Sequence, residues 1–225
     1  MTRGRGRDRR RRLLTIDEIV DAALAQMDAE GLEGLSMRTL ARRLGVGTMT
    51  LYHYVRDKDH LAELVSDRVM SEVLIPGEVP ADWREALTEI ARRTRATFLR
   101  HPWIVEAFGR HHTITPAMLR HAEQTLAAVQ SLESDPDAAG ALVGVVDDYA
   151  IGHAVREIAQ RHWSAGAAAG RLTPEARAVL ESDEFPAALR ALAESGGAEP
   201  ERDHFEDGLR WLLDGFEAER VRRSG

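Results

Sequence analysis

Thr48, Met49, Thr50, Tyr52 and His53 form the run of side chains best equipped to do chemistry in this chain. Hydroxyls, a phenol and an imidazole can exchange hydrogen bonds with base edges and phosphates, and a methionine can meet a thymine methyl. No acidic residue interrupts the stretch from Met37 to Arg56, and Arg38, Arg42, Arg43 and Arg56 add positive charge. Such a surface suits a polyanion. Bond-breaking chemistry has no comparable signature: there is no Gly-x-Ser-x-Gly, no His-Glu-x-x-His and no phosphate loop. Asp147 and Asp148 are neighbours on one expected helix, where adjacent residues point about 100° apart, so they are not a facing pair. No catalytic residue is assigned, and the chain is read as a non-enzyme.

Two short helical segments must position this run. The first spans about Met37 to Leu44, with Leu40 and Leu44 as its apolar pair. Ser36 stands where its hydroxyl can cap the first turn. Gly45 stands where a left-handed residue can end the helix without a Cβ clash. The second spans about Thr48 to Val55, with Leu51 facing inward and the polar run left outside. Ala41, four residues before the glycine, allows a close helix crossing. This is the pattern of a helix-turn-helix, whose second helix enters the DNA major groove. An ordinary helical hairpin shares the Ala, Gly and Leu spacing; the acid-free outer face separates the two.

Charge is divided along the chain in the same sense. Residues 1–60 hold 12 Lys+Arg against 9 Asp+Glu, a balance of +3, while the remainder holds 18 against 28, or −10. A basic end on an acidic body fits a DNA-binding head on a body with another task. Residues 1–14 are rich in Gly and Arg and predict a disordered basic arm that contacts phosphates. Thr15 and Glu18 form a capping box for a first helix with Ile16, Ile19, Val20, Ala23, Leu24 and Met27 on its apolar face. Asp57 caps a fourth helix, expected over 58–74. The breaker Ile75-Pro-Gly-Glu-Val-Pro80 marks a domain boundary. Beyond it only helical periodicity appears: about 82–101, a short helix from Pro102 to Gly109, 115–132, 136–165, pieces opening at Thr173 and Pro186, and 201–221. The expected fold is all-α. A disordered arm (1–14) precedes a helix-turn-helix DNA-binding domain (15–74) with a three-helix core, and a helical ligand-binding and dimerisation domain (80–225) follows. The chain has no cysteine, which excludes disulfides and thiolate metal sites. No apolar run approaches a transmembrane length, and a cytoplasmic location is expected, with no membrane partner.

The segment from Thr15 to Leu61, TIDEIVDAALAQMDAEGLEGLSMRTLARRLGVGTMTLYHYVRDKDHL, resembles the DNA-binding domain of the tetracycline-repressor (TetR) family of bacterial regulators. The part from Gly31 onward is the most specific. The remainder is similar, more loosely, to the tetracycline repressor's own C-terminal type, through helix order, the His101-Pro102 break and the final D-G-L-x-x-L-L-x-G-x-E segment. The resemblance implies a homodimer whose two heads bind a palindromic operator in double-stranded DNA. It also implies a body that holds a small-molecule effector and releases DNA when the effector binds. A helical enzyme and a non-DNA scaffold dimer are the alternatives.

Expected roles follow. Ser36 and Arg38 can donate to phosphate at a helix N-terminus, and Arg38 can extend to a guanine edge. Thr48, Met49 and Thr50 are the base-edge neighbours, with Met49 apolar where relatives are polar. Tyr52 and His53 touch phosphate or base; Tyr54 is either partly structural or on the same surface. Lys58 matches the family's phosphate-binding lysine. For the effector pocket, Phe98, His101, Trp103, Phe108, Met118, Tyr149, His153 and Trp163 are candidates, because helices converge there and pockets are mostly apolar with a few polar groups. His111 and His112 are weighed as metal ligands, but no carboxylate partner can be fixed, so no metal and no cofactor is assigned. For the dimer interface the candidates are Leu142, Val146, Phe205, Gly208, Leu212 and Gly215, the two glycines standing seven apart on the last helix.

Overall fold

The computed structural model describes residues 14–110, 114–132, 136–167 and 204–224. The basic arm, His111 and His112, and the helical pieces expected from Thr173 and Pro186 lie outside the described residues. Every regular element among those described is helical: α1 (Ile16–Glu30), α2 (Met37–Leu44), α3 (Thr48–Leu51), α4 (Lys58–Met70), α5 (Trp83–Arg100), α6 (Ile104–Arg110), α7 (Pro116–Ala128), α8 (Pro136–Ala167) and α9 (His204–Ser224), with one 3₁₀ turn at Gln130–Leu132. The chain divides into two compact units. One joins residues 1–74 with 101–122; the other joins 75–100 with 123–225. The first crossing falls beside Ile75, inside the predicted breaker. The sequence, however, grouped 101–122 with the body, whereas α6 and most of α7 pack with the head.

In the first unit local chemistry sets the helix ends. The Thr15 hydroxyl accepts from Glu18 N at 3.2 Å, and the Glu18 carboxylate accepts from Thr15 N at 3.0 Å, completing the capping box. Asp57 accepts from His60 N at 2.7 Å and starts α4. Ile19, Ala23 and Met27 on α1, Leu40 on α2, Leu51 on α3, and Leu61, Val65 and Val69 on α4 are fully buried. They turn the helical periodicity into a core, with α1 packed on both α2 and α4. At the edge, the Arg68 guanidinium spans from α4 to the first turn of α1, donating to Asp21 at 2.6 Å and to Asp17 at 2.5 Å. The fourth helix is shorter than expected. It ends at Met70, and residues 71–73 form turns in which Ser71 Oγ donates back to the Arg68 carbonyl at 2.6 Å.

In the second unit α5 lies along α8, and α9 packs on α8. Trp83, Leu87, Ile90, Val129, Leu132, Leu142, Val146, Phe205, Leu209 and Leu213 share one core. Polar ties frame it. Arg92 makes a two-pronged contact with Glu206 at 2.8 and 2.7 Å, and Arg84 reaches Asp214 at 2.8 Å. Gln124 holds Ile75 from both sides, donating to its carbonyl and accepting from its N–H, each at 3.0 Å. No helix among the described residues is long and apolar enough to cross a membrane.

Candidate nucleic-acid interface and effector cavity

The turn between α2 and α3 is built on one residue. Gly45 adopts φ 69° and ψ 29°, the left-handed region, and its N–H closes α2 on the Ala41 and Arg42 carbonyls. The chain then re-enters helix at Thr48, and Val46 N donates to the Ala41 carbonyl at 3.0 Å. Ala41 and Leu40 are buried beneath this corner, and Leu51 is 0% exposed. One apolar peg thus fixes the roll of α3. With Leu51 inward, Met49 is left 72% exposed, Tyr52 44% and Tyr54 36%, and His53 also faces solvent. Thr48 and Thr50 are half-buried at the same edge. The exposure of Tyr54 resolves its alternatives: it lies on the outer surface, not in the core.

Regular α-helix ends at Leu51, short of the expected Val55. His53 N donates to Thr50 and Tyr54 N to Leu51, three residues back, while Val55 N also reaches Leu51, four back. The backbone keeps turning but tightens, which lets Val55 bury beside Leu51.

On α2, Ser36 is the N-cap, accepting from Thr39 N at 3.4 Å. Its hydroxyl therefore serves its own helix. Arg38, Arg42 and Arg43 are exposed and have no ion pair among the described residues. Lys58 is half-buried in the first turn of α4, and Arg56 lies 4.0 Å from Glu63. The arrangement brings hydroxyls, a phenol, an imidazole, a thioether and free guanidinium groups to one side of the unit, with no acid between Met37 and Arg56.

The eight pocket candidates do not form one site. Phe108 and Met118 line a cavity of about 40 Å³ in the first unit, with Glu63, Ser66, Met70, Ile104, Ala107 and Thr115. His101 and Trp103 are buried beside α1. Trp103 Nε1–H donates to Asp28 Oδ1 at 2.8 Å, and His101 Nδ1 lies 2.6 Å from the same oxygen. Their polar groups are committed to that carboxylate, not to a ligand space. Asp28 had no signal in the sequence beyond its place in the last turn of α1. Phe98 is plain core in the second unit. Tyr149 and His153 cluster with Phe205 there, and the Tyr149 hydroxyl donates to the Phe205 carbonyl at 2.9 Å. The side chain of Trp163 lies outside the described residues.

Beside that cluster, Arg95 stacks 4.8 Å from the Phe205 ring centre and donates to Glu157 at 2.8 Å. Burial alone would push the Glu157 carboxyl up. Hydrogen bonds and charge from Arg95, then Arg161, outweigh it and hold the group below its ordinary value.

The dimer candidates also need correction. Leu142, Val146 and Phe205 are spent on the chain's own core. Gly208 is small for an internal reason: a Cβ there would meet the Tyr149 hydroxyl at 2.2 Å. Leu212 is half-buried, and only Gly215 is fully open. Sequence reasoning missed the residues that do face outward on these helices, notably Val145 at 50% and Trp211 at 66% exposure, with Gly144 and Gly152 alongside on α8. Among the described residues no three His, Asp or Glu side chains are grouped to hold a metal.

The family model described as "Tetracyclin repressor-like, C-terminal domain" matches residues 75–220, and "Bacterial regulatory proteins, tetR family" matches residues 19–65. The chain belongs to the TetR family. It is a regulator and not an enzyme. Among TetR-family relatives, it is 35% identical to the HTH-type transcriptional repressor DrrR1 of Streptomyces coeruleorubidus, over 94% of this chain and 80% of that one. An HTH-type transcriptional regulator of Saccharopolyspora erythraea is 33% identical over 92% and 86%. The crystal structure of the TetR family protein ActR from Streptomyces coelicolor, in complex with actinorhodin, aligns with a TM-score of 0.71 at 30% identity, covering 92% of this chain and 99% of ActR.

Proposed function

We propose that this TetR-family protein is a cytoplasmic, ligand-responsive repressor that binds a palindromic operator as a homodimer and leaves it when a small-molecule effector binds. The observation that carries this reading is the outer face of α2–α3, free of acids and held outward by the burial of Leu51. Arg38 and Lys58 serve as phosphate contacts, with Arg38 long enough to reach a guanine edge. Ser36, as N-cap, presents the first amide groups of α2 to a phosphate. Thr48, Met49 and Thr50 address base edges, and Tyr52 and His53 flank them. The effector role is supported by the apolar cavity against α4, and by ActR, a relative whose structure holds actinorhodin. A second copy fits the exposed stripe of α8 and α9, where Val145, Trp211 and open glycines leave apolar surface uncovered within the chain. The direct test is a gel shift with the intergenic DNA upstream of the chain's own gene, alongside sedimentation to read the stoichiometry. Failure to bind any palindromic site at low salt would sink the repressor reading.

A further inference from the structure

Pockets for small molecules enclose roughly 300–1,000 Å³, whereas the cavity among α4, α6 and α7 measures about 40 Å³. An effector enters only if α6 moves away from α4, because Ile104, Ala107 and Phe108 of α6 face Glu63, Ser66 and Met70 of α4 across it. That movement is restrained at the first turn of α6. His101 and Trp103 belong to the turn that opens this helix, their carbonyls accepting from Ile104 N at 2.9 Å and Ala107 N at 3.2 Å. Both side chains bond one oxygen of Asp28, at 2.6 and 2.8 Å. An ionised carboxylate can only accept, so Nδ1 of His101 carries its proton there. The second His101 nitrogen lies 3.5 Å from Glu72, just beyond α4. The His101 side chain is 4% exposed, and Trp103 is buried. Asp28 itself stands in the last turn of α1, the helix on which α2 rests.

One oxygen shared by two donors from a single turn fixes that turn in both distance and direction. Hydrogen bonds weaken steeply once stretched or bent, so α6 cannot shift without pulling on α1 or breaking both bonds. We propose that Asp28 is a positioning residue of the allosteric response: it passes displacement of α6 to α1, and so to the α2–α3 reading face. The proposal rests on the effector reading of the cavity. A parallel connection runs through α4, where Asp67 accepts from Ala117 N at 2.7 Å and Arg68 grips Asp17 and Asp21. The Asp28 share is the part of the coupling that disappears when only Asp28 is changed.

A double-mutant cycle isolates it without an identified effector. Ala107→Leu places three further carbons in the cavity and drives α6 from α4 as a ligand would. Operator affinity is measured for the full-length wild type, Ala107→Leu, Asp28→Ala and the double variant. Ala107→Leu should weaken binding at least tenfold. In the Asp28→Ala background the same change should weaken it less than threefold, and Asp28→Asn, which keeps an acceptor oxygen, should restore part of the difference. An equal loss in both backgrounds overturns the role of Asp28 and leaves the effector reading intact. No loss from Ala107→Leu alone overturns both. Helicity and thermal unfolding are followed for each variant; where Ala107→Leu does not fold, Ser66→Leu fills the cavity from α4, and where Asp28→Ala does not, Asp28→Asn carries the cycle.

Discussion

Met49→Ala is the sharpest test of where operator specificity resides. At 72% exposure, Met49 is the most exposed large apolar side chain among the described residues, and it sits in the first turn of α3 between two threonines. Its neighbours fix its direction, because Leu51 is fully buried and cannot roll outward without emptying the core. Burying an apolar side chain of this size from full exposure stabilises by roughly 1.5–3 kcal/mol. Scaled by its exposed fraction, and with a groove wall covering about half of it, the gain is about 1 kcal/mol per head. Two heads on a palindrome make about 2 kcal/mol, or roughly 30-fold in affinity. The natural apolar partner in the major groove is the thymine 5-methyl. Replacing the contacted thymine by deoxyuridine removes one methyl, worth about 0.8 kcal/mol, or roughly fourfold per half-site. Fluorescence anisotropy on operators carrying deoxyuridine at single positions reads both effects. Wild type should lose affinity at one thymine per half-site, and Met49→Ala should be weaker overall but indifferent to that base. Because the side chain is exposed, its thermal stability should match the wild type. Equal operator affinity for Met49→Ala and wild type, or an unchanged deoxyuridine penalty in the variant, refutes the thymine contact.

Tyr52→Ala should weaken operator binding while sedimentation still reports the wild-type assembly; loss of the folded state would instead assign the ring to the core. Leu51→Ala should lower the unfolding free energy of the first unit by about 2–5 kcal/mol, seen as a lower urea midpoint, and a change within 0.5 kcal/mol, the usual range for surface substitutions, would contradict its role as a peg. The Glu157 carboxyl is held below its ordinary value of 4.5, so its stabilising effect is complete above that pH and is lost as pH falls through the lowered folded value. Glu157→Gln should therefore flatten the acid side of the stability curve below about pH 4.5, and curves that stay parallel to the wild type would remove Glu157 as a source of it. Deleting residues 1–12 should reduce DNA affinity and shallow its salt dependence, an outcome that an unchanged slope would rule out.

What could be read from sequence divides by the range of the interaction that decides it. The head was legible because its decisive contacts are short. Thr15 with Glu18, Ser36 with Thr39, and Asp57 with His60 are each three residues apart, and Gly45 ends α2 by its own backbone freedom. Once those caps are placed, Leu40 and Leu51 have one inward direction, and the reading face follows. The body lacked such anchors. Periodicity marks apolar residues on α8 but does not separate those facing the chain's own core from those left outside. Leu142 and Val146 are buried while Val145, between them, is half exposed. A helix expected to serve both a core and a partner has apolar residues on both faces, so hydropathy alone cannot rank them. Gly208 and Gly215 share a spacing but not a role, since a tyrosine 59 residues away in sequence decides the first. The same holds for His101, whose place before a proline suggested a pocket ligand. Its partner Asp28 lies 73 residues back on a helix assigned to a different domain. Where a polar side chain is satisfied at that distance, sequence can offer it as functional but cannot see that its hydrogen bonds are already taken. For Asp28 the structure reverses the usual inference: an unremarkable acidic residue in a last helical turn becomes the point where the two parts of the mechanism touch.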